Sequence, residues 1–205
     1  MQQPTERPLV AGILLAAGAG RRFGGPKALA SSPGVGSWLK RGVRLLLDAG
    51  CSPVVVVLGA EAEKASVLLP KDDTRVVPVV AGDWVEGIGA SLGAALDHLR
   101  EVPGPVATLV TLVDLPHLAP AAMPRVLEAG VVPSTLRRAT YSGKPGHPVL
   151  IGRDHWAAVR AGLQGDVGAG PYLREHGAEA VDCTGLGGNE DIDAPVPNDA
   201  QGREL

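Results

Sequence analysis

The residues of this chain whose types and spacing could do chemistry are two cations set among glycines and one carboxylate ending an apolar run. The stretch LLAAGAGRRFGGPK, residues 14–27, sets Gly18, Gly20, Gly24 and Gly25, with Arg22 and Lys27, directly behind an apolar segment. Glycine accepts left-handed backbone and lets the main chain approach a ligand, so successive N–H groups can face an anion. Arginine offers phosphate a planar fork and lysine a compact charge. Together these suit a polyphosphate. In LVTLVDLPHL, residues 109–118, Asp114 ends a second apolar run just before Pro116. A carboxylate there could hold Mg²⁺ beside phosphates, or simply cap a following helix.

Two common glycine-loop patterns fail on the same residues. A dinucleotide-binding turn needs Gly-x-Gly-x-x-Gly running straight into a helix. Here Phe23 holds the third glycine position and Pro26 stands where that helix should run. A Walker loop needs Gly-Lys-Ser/Thr, whereas Lys27 follows Pro26 and precedes Ala28. The first failure speaks against a nicotinamide-dependent oxidoreductase. Ser91 and His147 have no triad setting, which speaks against a hydrolase.

The pattern that does fit is Leu15, Ala16, Ala17, Gly18, Gly20, Arg22, Gly24, Lys27. It resembles the signature of the MobA-like nucleotidyltransferases, which move a nucleoside monophosphate from an NTP to a phosphorylated acceptor. The resemblance implies that these residues bind the nucleotide, that Lys27 and Arg22 neutralise transition-state charge, and that Asp114 is a Mg²⁺ ligand. In DWVEGIGASLGAAL (83–96) the turn holding Gly89 and Ser91 resembles the one that meets base and ribose. As a bare sequence, it places Ser91 as a helix cap. GKPGHPVLIG (143–152) and GDVGAG (165–170) resemble the subgroup making molybdenum cofactor cytosine dinucleotide, which implies an acceptor role for His147 and Pro148. NEDIDAP (189–195) implies that Asp191 or Asp193 adds a second carboxylate to the metal or contacts the acceptor.

The likeness spans roughly residues 10–195, with departures. ALASSPGVGSWL after Lys27 lacks the usual turn, Gly170 stands where related sequences often carry arginine, and Ala194 replaces a threonine. Ala17, in place of a glycine, favours CTP over GTP in related molybdopterin enzymes. The expected reaction is therefore CMP transfer from CTP to molybdenum cofactor (molybdopterin), with release of pyrophosphate and a molybdoenzyme as onward partner. Two alternatives stand beside it. One keeps the chemistry on a sugar phosphate or methylerythritol phosphate. The other is a noncatalytic cofactor-binding chaperone.

Elements that could position these groups follow from hydrophobic periodicity. Buried strands are expected over Leu9 to Ala16, residues 53–59, 75–80 and 106–113, the last the longest. Pro78 marks the third as an edge strand or bulge. Helices are expected over Gly36 to Ala49, Glu61 to Leu69, Ser91 to Arg100, Pro120 to Glu128, Arg153 to Gly162 and Gly168 to Glu175. TLRRATY and HPVLI read as strands of a looser region. The alternation means an α/β, Rossmann-like three-layer sandwich with a mostly parallel, partly mixed central sheet. The resemblance implies the nucleotide-diphospho-sugar transferase variety. One domain over 1–205 is expected, with its core at about 9–193 and a loose C-terminal tail.

Bulk properties fit a cytoplasmic enzyme. The 205 residues carry a formal net charge of -3, which argues against a general nucleic-acid or membrane binder. Aromatic residues make up 3%, so the core must be aliphatic. Two cysteines, Cys51 and Cys183, allow at most one disulfide and no cysteine-rich zinc site. The start, MQQPTERPLV, has no secretory-signal pattern, and no apolar run nears the ~20 residues that span a bilayer.

Overall fold

The computed structural model describes residues 7–188 and 190–192. Its seven-stranded sheet has the order β5-β4-β1-β6-β8-β7-β9. The strands are β1 (Val10–Ala16), β4 (Val54–Leu58), β5 (Val76–Val80), β6 (Ala107–Leu112), β7 (Leu136–Tyr141), β8 (Lys144–Gly152) and β9 (Glu179–Asp182). Two short strands, β2 (Ser31–Ser32) and β3 (Gly36–Ser37), pair apart from it. β1, β4, β5 and β6 are mutually parallel. β8 runs against both β6 and β7, and β9 lies parallel to β7. The sheet is thus mostly parallel and partly mixed, as expected.

Both faces are covered. β1 sends Val10, Leu14 and Ala16 to one core, and Ala11, Ile13 and Leu15 to the other. Helices α1 (Trp38–Asp48), α2 (Ala62–Ser66) and α4 (Ala122–Leu127) cover the first face. Helices α3 (Ile88–Glu101), α5 (Trp156–Gly162) and α6 (Gly170–Glu175) cover the second. Strands buried on both sides read as unbroken apolar runs, which is why VVVVL of β4 is buried at every residue.

α1 lies very close to β1 because glycine removes side chain at the contact. A Cβ on Gly42 would stand 2.8 Å from Leu14 Cδ1, and one on Gly12 would stand 3.1 Å from Leu46 Cβ. Ser37 caps α1, its hydroxyl accepting from the Lys40 N–H at 3.4 Å. Trp38 then anchors the loop after β1. It donates from its indole to Ser32 Oγ at 3.0 Å and meets the Phe23 ring at a 5.2 Å centroid distance.

Several expectations are corrected. Ser91 does not cap α3: the helix starts at Ile88 behind Gly87, and Ser91 lies a turn inside it. Residues 106–113 do not form the longest strand, since β6 has six residues and β8 nine. β8 is longer because it continues beyond its last pairing with β6, at Val149, to Lys144 and Pro145, which pair with β7. Asp114 caps no helix, as α4 begins only at Ala122 behind Ala121. Cys51 and Cys183 are buried free thiols. β9, unforeseen, adds an outer strand beside β7. Pro78 does lie on an edge strand, β5. The expected tail from residue 193 lies outside the described residues. No helix of the described residues is long and apolar enough to cross a membrane.

Candidate active site

In an open parallel sheet a crevice forms where neighbouring strands send their chains to opposite sides. Here β1 leads out towards β4, while its neighbour β6 leads out towards β8 and β7. Lys27 follows the end of β1 and Asp114 follows the end of β6. Across that crevice Lys27 Nζ donates to Asp114 Oδ2 at 3.0 Å. The two side chains are 13% and 23% exposed, so the pair is sheltered yet reachable.

The loop between them is shaped by its glycines. Gly20 has φ +57, and a Cβ there would fall 1.9 Å from Gly25 O. Its own carbonyl accepts from the N–H groups of Gly24 and Gly25 at 2.9 and 3.1 Å. Only glycine closes this tight return. Gly18, by contrast, has nothing within 4 Å of where a Cβ would stand. The strand ends are fixed by N–H bonds from Ala60 to Ala17 O and from Val113 to Leu15 O.

Above this edge opens a cleft of about 560 Å³. Of the residues read from sequence as nucleotide-binding, Leu15, Ala16, Ala17, Gly18, Gly20, Arg22, Lys27 and Ser91 line it, with Asp114 opposite. Gly89 does not. It is buried, donates its N–H to Gly165 O at 2.9 Å, and would clash there with a Cβ at 2.9 Å. Its glycine serves the contact between the start of α3 and residues 164–167. Gly87, at φ +127, meets the same segment, with Gly165 O 2.4 Å from its Cβ position. The sequence reading missed Phe23, Trp84 and Asp166, which also line the cleft. Trp84 sits in the DWVEG stretch that was read only for its glycines and serine.

The acceptor-side residues lie along the same edge but outside this lining. β8 is antiparallel, and Val149 pairs with Val110 of β6. His147 and Pro148 therefore sit level with the end of β6. The His147 carbonyl accepts from Tyr141 Oη at 2.8 Å. Burial, with the nearby Arg138 charge, pushes the His147 imidazole down to about 4. Asp191 is exposed, and its neighbour Ile192 donates its N–H to Asp114 O at 3.2 Å. This brings Asp191 beside the end of β6. Asp193, the other candidate metal ligand, lies outside the described residues.

A divalent cation fits one observation here. Asp114 Oδ1 is buried and has no hydrogen-bond partner among the described residues, while Oδ2 takes Lys27. No cluster of three metal-type side chains occurs among the described residues. Mg²⁺, however, is commonly held by one or two carboxylates plus substrate phosphates.

A Rossmann-like sheet carrying a glycine loop, a lysine and a facing aspartate at its switch point defines a nucleotidyltransferase. The model of the MobA-like NTP transferase domain matches residues 12–181, and the chain belongs to that family. It is 35% identical over 201 residues to the nicotine blue oxidoreductase of Paenarthrobacter nicotinovorans, covering 92% of this chain and 94% of that one. It is 36% identical over 114 residues to a probable molybdenum cofactor guanylyltransferase of Rhodopirellula baltica, covering 55% of this chain and 51% of that one. Among solved structures, Rv0371c of Mycobacterium tuberculosis superposes with a TM-score of 0.76 at 27% identity, covering 91% and 94% of the two chains. Rv0371c has also been solved as a manganese complex.

Proposed function

We propose that this enzyme transfers CMP from CTP to a phosphorylated acceptor, with molybdopterin favoured, and releases pyrophosphate. The carrying observation is the Lys27–Asp114 pair at the switch point, with Asp114 Oδ1 buried and without a partner among the described residues. An acceptor phosphate is already an anionic nucleophile near neutral pH, so no base is needed to create one. Its oxygen attacks the α-phosphorus, the α–β P–O bond breaks, and pyrophosphate leaves with the electron pair. Lys27, Arg22 and the loop N–H groups neutralise the growing charge on the departing oxygens. Asp114, with Asp191 or Asp193, would hold Mg²⁺, which when bound would supply further neutralisation of phosphate charge.

The Ala17 methyl, 4% exposed on the cleft lining, narrows the space beside the loop. That supports the smaller pyrimidine. The test is pyrophosphate release with purified molybdopterin and each of the four NTPs in Mg²⁺. CTP should give the highest kcat/KM. GTP preference would refute the base assignment. Turnover only with a sugar phosphate or methylerythritol phosphate would move the acceptor. Nucleotide binding without turnover on any acceptor would leave the chaperone reading.

A second reading has its own support. The relative that matches nearly the whole chain is named an oxidoreductase, and two aromatic side chains, Phe23 and Trp84, line the cleft, where a flat ring system could pack. Oxidation of NADH or NADPH in the presence of nicotine blue tests it directly. The break in the dinucleotide pattern at Phe23 and Pro26 favours no such oxidation.

A further inference from the structure

One positive group near the cleft has no opposite charge beside it among the described residues. Arg138 is half-buried on β7, on the sheet face covered by α3, α5 and α6. Its Nε donates to Gly146 O at 3.3 Å. No carboxylate reaches its guanidinium among the described residues, and the same holds for Arg174 on α6. Its neighbour in sequence behaves differently: Arg137 pairs with Glu179 and donates to three backbone carbonyls. Burial and the proximity of Arg174 both work against the charge on Arg138. A half-buried arginine with an exposed second arginine beside it is held at a cost, and a bound anion would offset that cost.

The surroundings leave room for one. Gly170, at the start of α6, carries no side chain over the guanidinium, and a Cβ there would stand 3.8 Å from Arg138 Nη1. Residues 165–168 run from this point to the start of α3, where a Cβ on Gly168 would stand 3.8 Å from Ile88 Cγ2. Ile88 lines the cleft. Gly146, which Arg138 holds, precedes His147 on the overhanging part of β8. Arg138 therefore stands on the same edge as the nucleotide cleft, one loop away from it.

We propose that Arg138, supported by Arg174, is the seat of the acceptor's phosphate, a phosphomonoester dianion gripped by the guanidinium fork beside the Gly146–Pro148 backbone. This deepens the transferase reading and rests on it. Arginine matches phosphate with two parallel N–H donors, and the Nε bond to Gly146 O fixes the plane of the fork. The imidazole of His147, neutral near pH 7, adds a polar ring without adding repulsion.

The test is calorimetric, on the full chain loaded with Mg²⁺ and the non-hydrolysable α,β-methylene analogue of CTP, so that the Lys27 loop is already filled. Inorganic phosphate and glycerol 3-phosphate are titrated in separate arms. Both should bind, the monoester more tightly. Arg138→Gln should weaken both at least tenfold, Arg138→Lys should recover part of the loss, and Gly170→Leu should weaken both by covering the fork. Analogue affinity should stay within twofold in all three variants. Wild-type binding retained in Arg138→Gln or Gly170→Leu overturns the proposal, as does a wild type that binds neither anion. Binding of inorganic phosphate with exclusion of the monoester overturns the acceptor assignment. If the analogue itself does not bind, the transferase reading fails separately, and the anions are then titrated into Lys27→Ala.

Discussion

Lys27 Nζ and Asp114 Oδ2 stand 3.0 Å apart although 87 residues separate them in sequence. The ion pair closes the gap between the ends of two adjacent parallel strands, and its second carboxylate oxygen is unengaged among the described residues. A sheltered pair of this kind is weak in net stability, because the cost of taking two charges out of water offsets their attraction. Its value must lie in what it does to a ligand.

Lys27→Ala and Asp114→Ala should therefore each lower kcat by roughly 10²–10³, the usual loss for a placed charge stabiliser. Melting temperatures should fall as well, because either change leaves its partner's charge sheltered and unpaired. Steady-state pyrophosphate release and thermal unfolding, measured on the same preparations, decide it. Near-normal rates in both variants would remove the site assignment.

Chelation should separate the same two properties. EDTA should abolish transfer, and excess Mg²⁺ or Mn²⁺ should restore it. Without nucleotide, the melting temperature should be unchanged by chelator, because one or two carboxylates without substrate phosphates hold Mg²⁺ weakly. A melting point that drops on chelation would instead indicate a structural metal.

Gly20→Ala and Gly18→Ala form a matched pair. At Gly20 the new Cβ would collide with Gly25 O and the backbone is left-handed, whereas at Gly18 the space is open. The first should cost tenfold or more in NTP affinity and about 1–3 kcal/mol in stability. The second should change stability by less than about 0.5 kcal/mol. Titration with CTP and chemical denaturation report on both.

His147 gives a pH dependence with a definite sign. Its folded-state pKa, about 4, lies below the ordinary 6.5. Between those values the unfolded chain binds the extra proton, so stability is complete above about pH 6.5 and falls as the pH drops towards 4. The loss from this group is at most about 3 kcal/mol. His147→Gln should flatten the stability profile in that window and leave it unchanged above pH 7.

Thr108 is fully buried on β6, and its hydroxyl has no partner among the described residues. Valine has nearly the same shape and no polar atom to desolvate. Thr108→Val should stabilise the fold by about 1 kcal/mol, a rise of roughly 2–4 °C in Tm for a chain of this size. Differential scanning calorimetry is sufficient.

What could be read from sequence follows a physical division. β1 and β4 are apolar at every residue because both faces are covered, and such runs announce themselves. The glycine loop was legible because Gly20 and its neighbours carry a conformational need that no other residue meets. Asp114 was legible because it ends a long apolar run. Other features were hidden. Ser91 looked like a cap, yet the helix start depends on how Gly87 and Gly89 pack on Gly165, a partner more than 70 residues away. Trp84 joins the cleft through a crossover connection that periodicity does not reveal. β9 is mostly exposed and is held by its backbone ladder and the Arg137–Glu179 ion pair, so its sequence EAVD carries little hydrophobic signal.

The reversed direction of β8 has a consequence for how such a protein can diversify. Every parallel strand brings its exit to the cleft, so lengthening a loop there disturbs the polyphosphate cradle. β8 brings its entry, preceded by the two-residue bend Ser142–Gly143, which projects past the rest of the sheet. That bend can grow, shrink or change composition while the strands beneath keep their register. The fold thus has one half that tolerates little alteration and a neighbouring fingertip open to innovation, joined along a single rim.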